Sequence, residues 1–150
     1  MDTAPAPTAA RGGPTVQLTA TLVAATLVLV GIIGFIPGLT TNLYDGLEFA
    51  GDDGDAKVLG VFHTSVLHNL VHLVFGLVGL AMARTWSGAR TFLIGGGIIY
   101  IALWLIGLLG GLDWIPADDP DDWLHFILGV AMVGLGFVTT REGERPVGAT

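Results

Sequence analysis

The chain has 150 residues, 52% of them hydrophobic and 13% charged, with a formal net charge of −7. That length allows one domain, and its long apolar runs and positive mean hydropathy exclude an ordinary soluble globule. The acidic balance excludes a nucleic-acid binder, which needs a basic patch, and the lack of cysteine excludes disulfides and thiolate chemistry.

Residues 1–15 are rich in Ala, Pro and Gly without hydrophobic periodicity and are expected to form a disordered tail. Residues 16–36 (VQLTATLVAATLVLVGIIGFI) are 21 in number, about 30 Å of helix, enough to cross a hydrocarbon core. An uncleaved span is preferred to a signal peptide, because the run exceeds an h-region and Pro37-Gly38-Leu39 offers no small-x-small cleavage pattern. Pro37-Gly38 is expected to end the helix. The acidic loop TTNLYDGLEFAGDDGD follows, with Asp55 as the expected N-cap of a second span over 57–83.

A short basic turn from Arg84 to Arg90 makes spans two and three an antiparallel hairpin. The third span, 90–109, contains Gly95-Gly96-Gly97, and Gly107 and Gly111 keep a four-residue small-residue spacing; in lipid such residues suit close helix contact. A second acidic loop, GGLDWIPADDPDD, leads to the fourth span, 122–140, and residues 141–150 form a polar tail. The acidic runs Asp52-Asp53-Gly-Asp55 and Asp118-Asp119-Pro-Asp121-Asp122 lack calcium-loop spacing and read as solvated caps and topology signals.

Basic residues set the orientation. Arg11, Arg84, Arg90, Arg141 and Arg145 fall on one side of a four-span arrangement, and only Lys57 falls on the other, beside the acids of both loops. The positive-inside rule therefore predicts cytoplasmic termini in a multi-pass protein of the cell membrane. Tyr44, Trp114 and Trp123 near the outer boundary and Trp86 near the inner one suit an aromatic belt.

The second span holds three of the four histidines. His68 and His72, four residues apart, share one helical face, with Ser65, Asn69, Gly76 and Gly79 on or beside it; His63 is off that face, nearer the outer surface. At ~1.5 Å per residue, His68 and His125 each lie roughly 24 Å from the inner boundary, His72 ~18 Å, Tyr100 ~15 Å and Trp104 ~21 Å. His68, His72, Asn69, His125, Tyr100 and Trp104 are thus expected to converge in the outer half of the bundle. The segments Asn69–Gly76 and Asp122–Gly129 share the pattern [Asn/Asp]-x-[Leu/Val]-His-x-x-x-Gly, a match short enough for chance.

Three readings of this cluster are open. Neutral imidazoles hydrogen-bonding to Asn69, Trp104, Thr64 or Ser65 would hold helices together, at ~0.6–2 kcal/mol per bond. Alternatively, His68, His72 and His125 bind a cofactor: haem b, with His125 trans to an imidazole of the second span, or zinc held by all three with water. No carboxylate is expected at that depth to offset the metal's charge. The third reading is proton or small-solute conduction by an oligomer, which the expected lack of a buried Asp or Glu in the spans disfavours. No nucleophile elbow, phosphate loop, dinucleotide fingerprint or metalloprotease helix occurs, so an enzyme is not supported.

The segments GFIPGLTTNLYDGLEFAG, LGVFHTSVLHNLVHLVFGLVGLAMAR, ARTFLIGGGIIYIALWLIG and DDWLHFILGVAMVGLG resemble the mainly actinobacterial membrane family catalogued as domain of unknown function 4383. The resemblance covers about Val16 to Val138, most specifically in HNLVH and the Ile-Pro-Gly loop. It implies a four-span integral membrane protein and brings no activity or catalytic residues. The expectation is therefore an all-α, four-transmembrane-helix bundle with a structural or accessory role. Its partners are the lipid bilayer and a homo-oligomer or larger membrane complex, with no nucleic acid.

Overall fold

A computed structural model describes residues 15–51, 54–109 and 119–138. The expected tails, Gly111, Trp114 and the second acidic loop up to Asp118 lie outside the described residues. Four long helices dominate: α1 (Val16–Ile33), α3 (Val66–Met82), α4 (Trp86–Leu108) and α5 (Asp119–Val138). Between α1 and α3 the chain forms β1 (Thr40–Thr41), the single turn α2 (Leu43–Gly46), β2 (Lys57–Val58) and β3 (Phe62–His63). The three strands make one antiparallel sheet in the order β1-β2-β3. The protein is thus mostly helical rather than all-α.

The sheet changes the second helix. Lys57 pairs with His63 and Val58 with Phe62, so residues expected to open a span instead form a hairpin. Its tight turn places Leu59 at φ 52° and Gly60 at φ 70°, a left-handed pair incompatible with helix. Asp55, expected as the N-cap, precedes β2; the cap is Ser65, whose hydroxyl accepts from His68 N at 3.2 Å. The Val66 and Leu67 amides donate to the Glu48 and Phe49 carbonyls at 3.0 and 2.9 Å, seating the loop on the end of α3. Residues 34–51 and 54–65, with β1, α2, β2 and β3, form a cap on this end of α1 and α3. At its α1 side, Thr40 Oγ1 donates to Ile33 O at 2.9 Å and so closes α1, which stops at Gly34 rather than Pro37. The α4 helix likewise starts earlier than expected, because Thr85 Oγ1 accepts from Gly88 N at 3.1 Å and caps it before Trp86.

Three helices, Val16–Ile33, Trp86–Leu108 and Pro120–Val138, are long and apolar enough to cross a membrane, and Val66–Met82 is a shorter apolar helix. Large apolar side chains stand exposed around them, including Leu22, Val74, Ile98 and Ile127. Water would penalise so continuous an apolar exterior, whereas lipid does not.

The helices pack as two close pairs, α1 with α3 and α4 with α5, joined mainly where α4 meets α1 and α3. Glycine makes both pairs possible. A Cβ on Gly76 of α3 would lie 2.7 Å from Ala24 O of α1; one on Gly97 of α4 would lie 2.7 Å from Gly129 O of α5. The core between the pairs contains Ala20, Ala24, Leu27, Phe92, Leu93, Tyr100 and Met132.

Candidate functional site

His68 is the third residue of α3, placed there by the Ser65 cap, and His72 stands one turn further along. The two rings are 4.5 Å apart between centroids. His72 Nδ1 lies 3.2 Å from His68 O, and because a carbonyl only accepts, Nδ1 is the protonated nitrogen and Nε2 the free one. From α5, the His125 ring stands 6.4 Å from both His68 and His72. Tyr100 of α4 completes the group, with its ring 5.0 Å from His125 and 6.4 Å from His72. Four of the expected residues therefore come together, joining three helices.

The cluster lies at the end of the helices that carries the cap. His68 is in the first turn of its helix, and His125 is within two turns of Asp119. On the opposite side, Phe75 packs 5.9 Å from Tyr100 and 5.4 Å from Phe92, above Leu93 and Met132, both fully buried. The polar group thus rests on an apolar floor.

A residue missed by sequence reasoning belongs here. Asp121, 3% exposed, places Oδ2 3.4 Å from His125 Nδ1 one turn along α5. This corrects the expectation that no carboxylate accompanies the histidines. The signal was present as the four-residue spacing of Asp121 and His125, but Pro120 made the acids look like loop; proline suits the first turn of a helix, and α5 begins at Asp119.

Other expected members go elsewhere. Asn69 does not face the imidazoles: it is turned toward α1, where its carboxamide fills the space over Gly34, and its Oδ1 accepts from Thr64 Oγ1 at 2.7 Å. Its Nδ2 has no hydrogen-bond partner among the described residues. Gly76 follows Asn69 onto the α1 face, so the single stripe expected for α3 is really two, one for α1 and one for α4 and α5. Ser65 serves as the cap. Trp104 joins a separate aromatic group, 4.5 Å from Phe126 and 6.1 Å from Trp123. His63 lies in β3, off the helix altogether, and its Nδ1 is buried without a partner among the described residues.

The donor set is three imidazoles, a phenol and a carboxylate. Among the described residues, no three His, Asp or Glu side chains are placed to hold a metal ion. What the arrangement does directly is tie α3, α4 and α5 together through ring contacts, with one buried acid–imidazole pair inside α5.

Comparison with protein families gives one match, to the model described as domain of unknown function (DUF4383), over residues 17–138. No curated protein matches the chain, and no solved structure does.

Proposed function

The chain belongs to the DUF4383 family, and from that premise we propose that it is a four-span accessory protein of the cell membrane with both termini in the cytoplasm. In this reading α3, second in chain order, is a crossing too: its 17 residues give about 25 Å of helix, and the cap lies in the outer interface where it begins. Support for the orientation is the charge asymmetry, with Arg84 and Arg90 at the end opposite the cap and Asp45, Glu48 and Asp55 in it.

The observation that carries the accessory role is the cluster of His68, His72, Tyr100, Asp121 and His125 seated on an apolar floor. It locks three helices at the outer end, while Phe75, Phe92, Leu93 and Met132 close the interior beneath it. A proton or solute path through one chain would have to pass that floor, which offers no polar group to relay along. Asp121 supplies the buried acid that conduction was expected to lack, but only at the outer end.

The cofactor alternative has the right ligand types and less support from geometry. Zinc needs three nitrogens about 2.0–2.1 Å from one point, and among the described residues no three His, Asp or Glu side chains are placed to hold a metal ion. For haem, Tyr100 stands beside both His72 and His125, where a macrocycle between α3 and α5 would lie.

Crosslinking in membranes at native expression level tests the accessory role. A discrete species larger than the 15.6 kDa chain is expected, either a homo-oligomer or a complex with a second membrane protein. Recovery of monomer alone, with crosslinkers of several lengths, would contradict it.

A further inference from the structure

At the end of α4 remote from the cap, Trp86, Ser87, Arg90, Thr91, Ile94 and Gly95 line a groove of about 370 Å³. These positions recur at one and four residues, so they form one face of the helix. The face is graded along its length: an indole, two hydroxyls and a guanidinium come first, then an isoleucine and a bare glycine. A Cβ on Gly95 would meet nothing within 4 Å, so the apolar half of the groove is open. From Trp86 to Gly95 the helix rises ~13 Å.

Arg90 is held in place. Its Nε donates to Gly136 O of α5 at 3.2 Å, and its guanidinium lies 5.7 Å from the Trp86 ring centroid and 5.4 Å from that of Phe137. One nitrogen is thus anchored to the neighbouring helix, and the fork's remaining donors keep their charge for another acceptor. Among the described residues, no carboxylate lies within ion-pair distance of Arg90.

We propose that this groove is a binding site for an anionic phospholipid: Arg90, Ser87 and Thr91 hold the phosphate-bearing headgroup, and an acyl chain runs over Ile94 and Gly95. Charge complementarity selects an anion, and the polar-to-apolar gradient over about two turns and a half matches a lipid lying along a membrane helix. The inference rests on α4 crossing a bilayer, but not on which side its first turn faces.

The test is the partition of spin-labelled lipid onto the full-length protein in vesicles of phosphatidylcholine with one-fifth phosphatidylglycerol, whose leaflets are alike. The immobilised fraction of labelled phosphatidylglycerol is expected to exceed that of labelled phosphatidylcholine about fivefold, the preference one arginine supplies at a membrane surface. Arg90→Gln should bring that ratio close to one and Arg90→Lys should keep most of it. Arg84→Gln, exposed and outside the groove, should leave it nearly unchanged. Gly95→Leu has room to fold, keeps the charge and fills the acyl track, so it should lower the ratio at least twofold; it also decides the matter if Arg90→Gln fails to fold. A preference that survives in Gly95→Leu, or that falls equally in Arg84→Gln and Arg90→Gln, would overturn the site in favour of diffuse surface charge. If wild type shows no immobilised component of either lipid, α4 is not lipid-exposed and the membrane reading itself fails.

Discussion

Gly97→Val is expected to destabilise the protein by about 3 kcal/mol, the upper range for forcing extra volume into a packed interface. The new side chain would begin 2.7 Å from Gly129 O, and the facing position is no freer, since a Cβ on Gly129 would lie 2.8 Å from Gly97 O. Backbone meets backbone here, with Val133 Cγ2 equally close at 2.7 Å, so a rotamer change alone cannot make room. Equilibrium unfolding in detergent measures the effect. Gly134→Val is the matched control: a Cβ there meets nothing within 4 Å, and its effect should stay within about 0.5 kcal/mol. Equal losses in the two variants would mean that α4 and α5 are not paired through these glycines.

Removing His125 should cost about 2 kcal/mol, because the Asp121 carboxylate then loses the imidazole 3.4 Å from it in a nearly dry site. The informative comparison is the double replacement. With His125→Leu and Asp121→Leu together, the buried pair becomes apolar on both sides, and much of the loss should return. A coupling of about 0.5–3 kcal/mol between the two positions is the expected range for partners in one network. Strictly additive effects would show that the pair is incidental. Stability that falls on adding a chelator to the wild-type protein, and is restored by zinc, would instead favour the cofactor reading.

Sequence pattern located most of the helices because each apolar run is long, and it placed His68, His72, Tyr100 and His125 at similar depth by counting from arginines. The same counting failed where local chemistry overrides hydropathy. The segment Lys57-Val-Leu-Gly-Val-Phe-His63 is as apolar as a span, yet Leu59 and Gly60 take left-handed conformations and fold it into a hairpin. Asn69 sits 100° round the helix from His68, an angle small enough to look like one stripe and large enough to face a different neighbour. Which neighbour it faces depends on the close approach of α1 at Gly34, and no pattern within α3 encodes that. Trp104 shows the same limit: one turn beyond Tyr100 on α4, it packs on Phe126 and Trp123 of α5 and not on the imidazoles. Asp121 was readable from its spacing to His125 once Pro120 is taken as a helix-opening residue instead of a loop marker.

The short pattern shared by Asn69–Gly76 and Asp122–Gly129 acquires a structural use. Its histidines, His72 and His125, both enter the cluster, and its glycines, Gly76 and Gly129, both take a neighbouring backbone at close range. In α3 the histidine and the glycine one turn later therefore face different helices, whereas in α5 both meet α4.

The arrangement of the bundle in the membrane is open to one direct measurement, made clean by the absence of native cysteine. Single cysteines at Asp55 in the cap and Ser87 at the far end, both exposed, can be treated in intact cells with a membrane-impermeant maleimide. The cap position is expected to label at once, and Ser87→Cys only after lysis. Labelling of Ser87→Cys in intact cells, with or without labelling of Asp55→Cys, would contradict a histidine cluster at the outer mouth of a bundle whose termini lie inside.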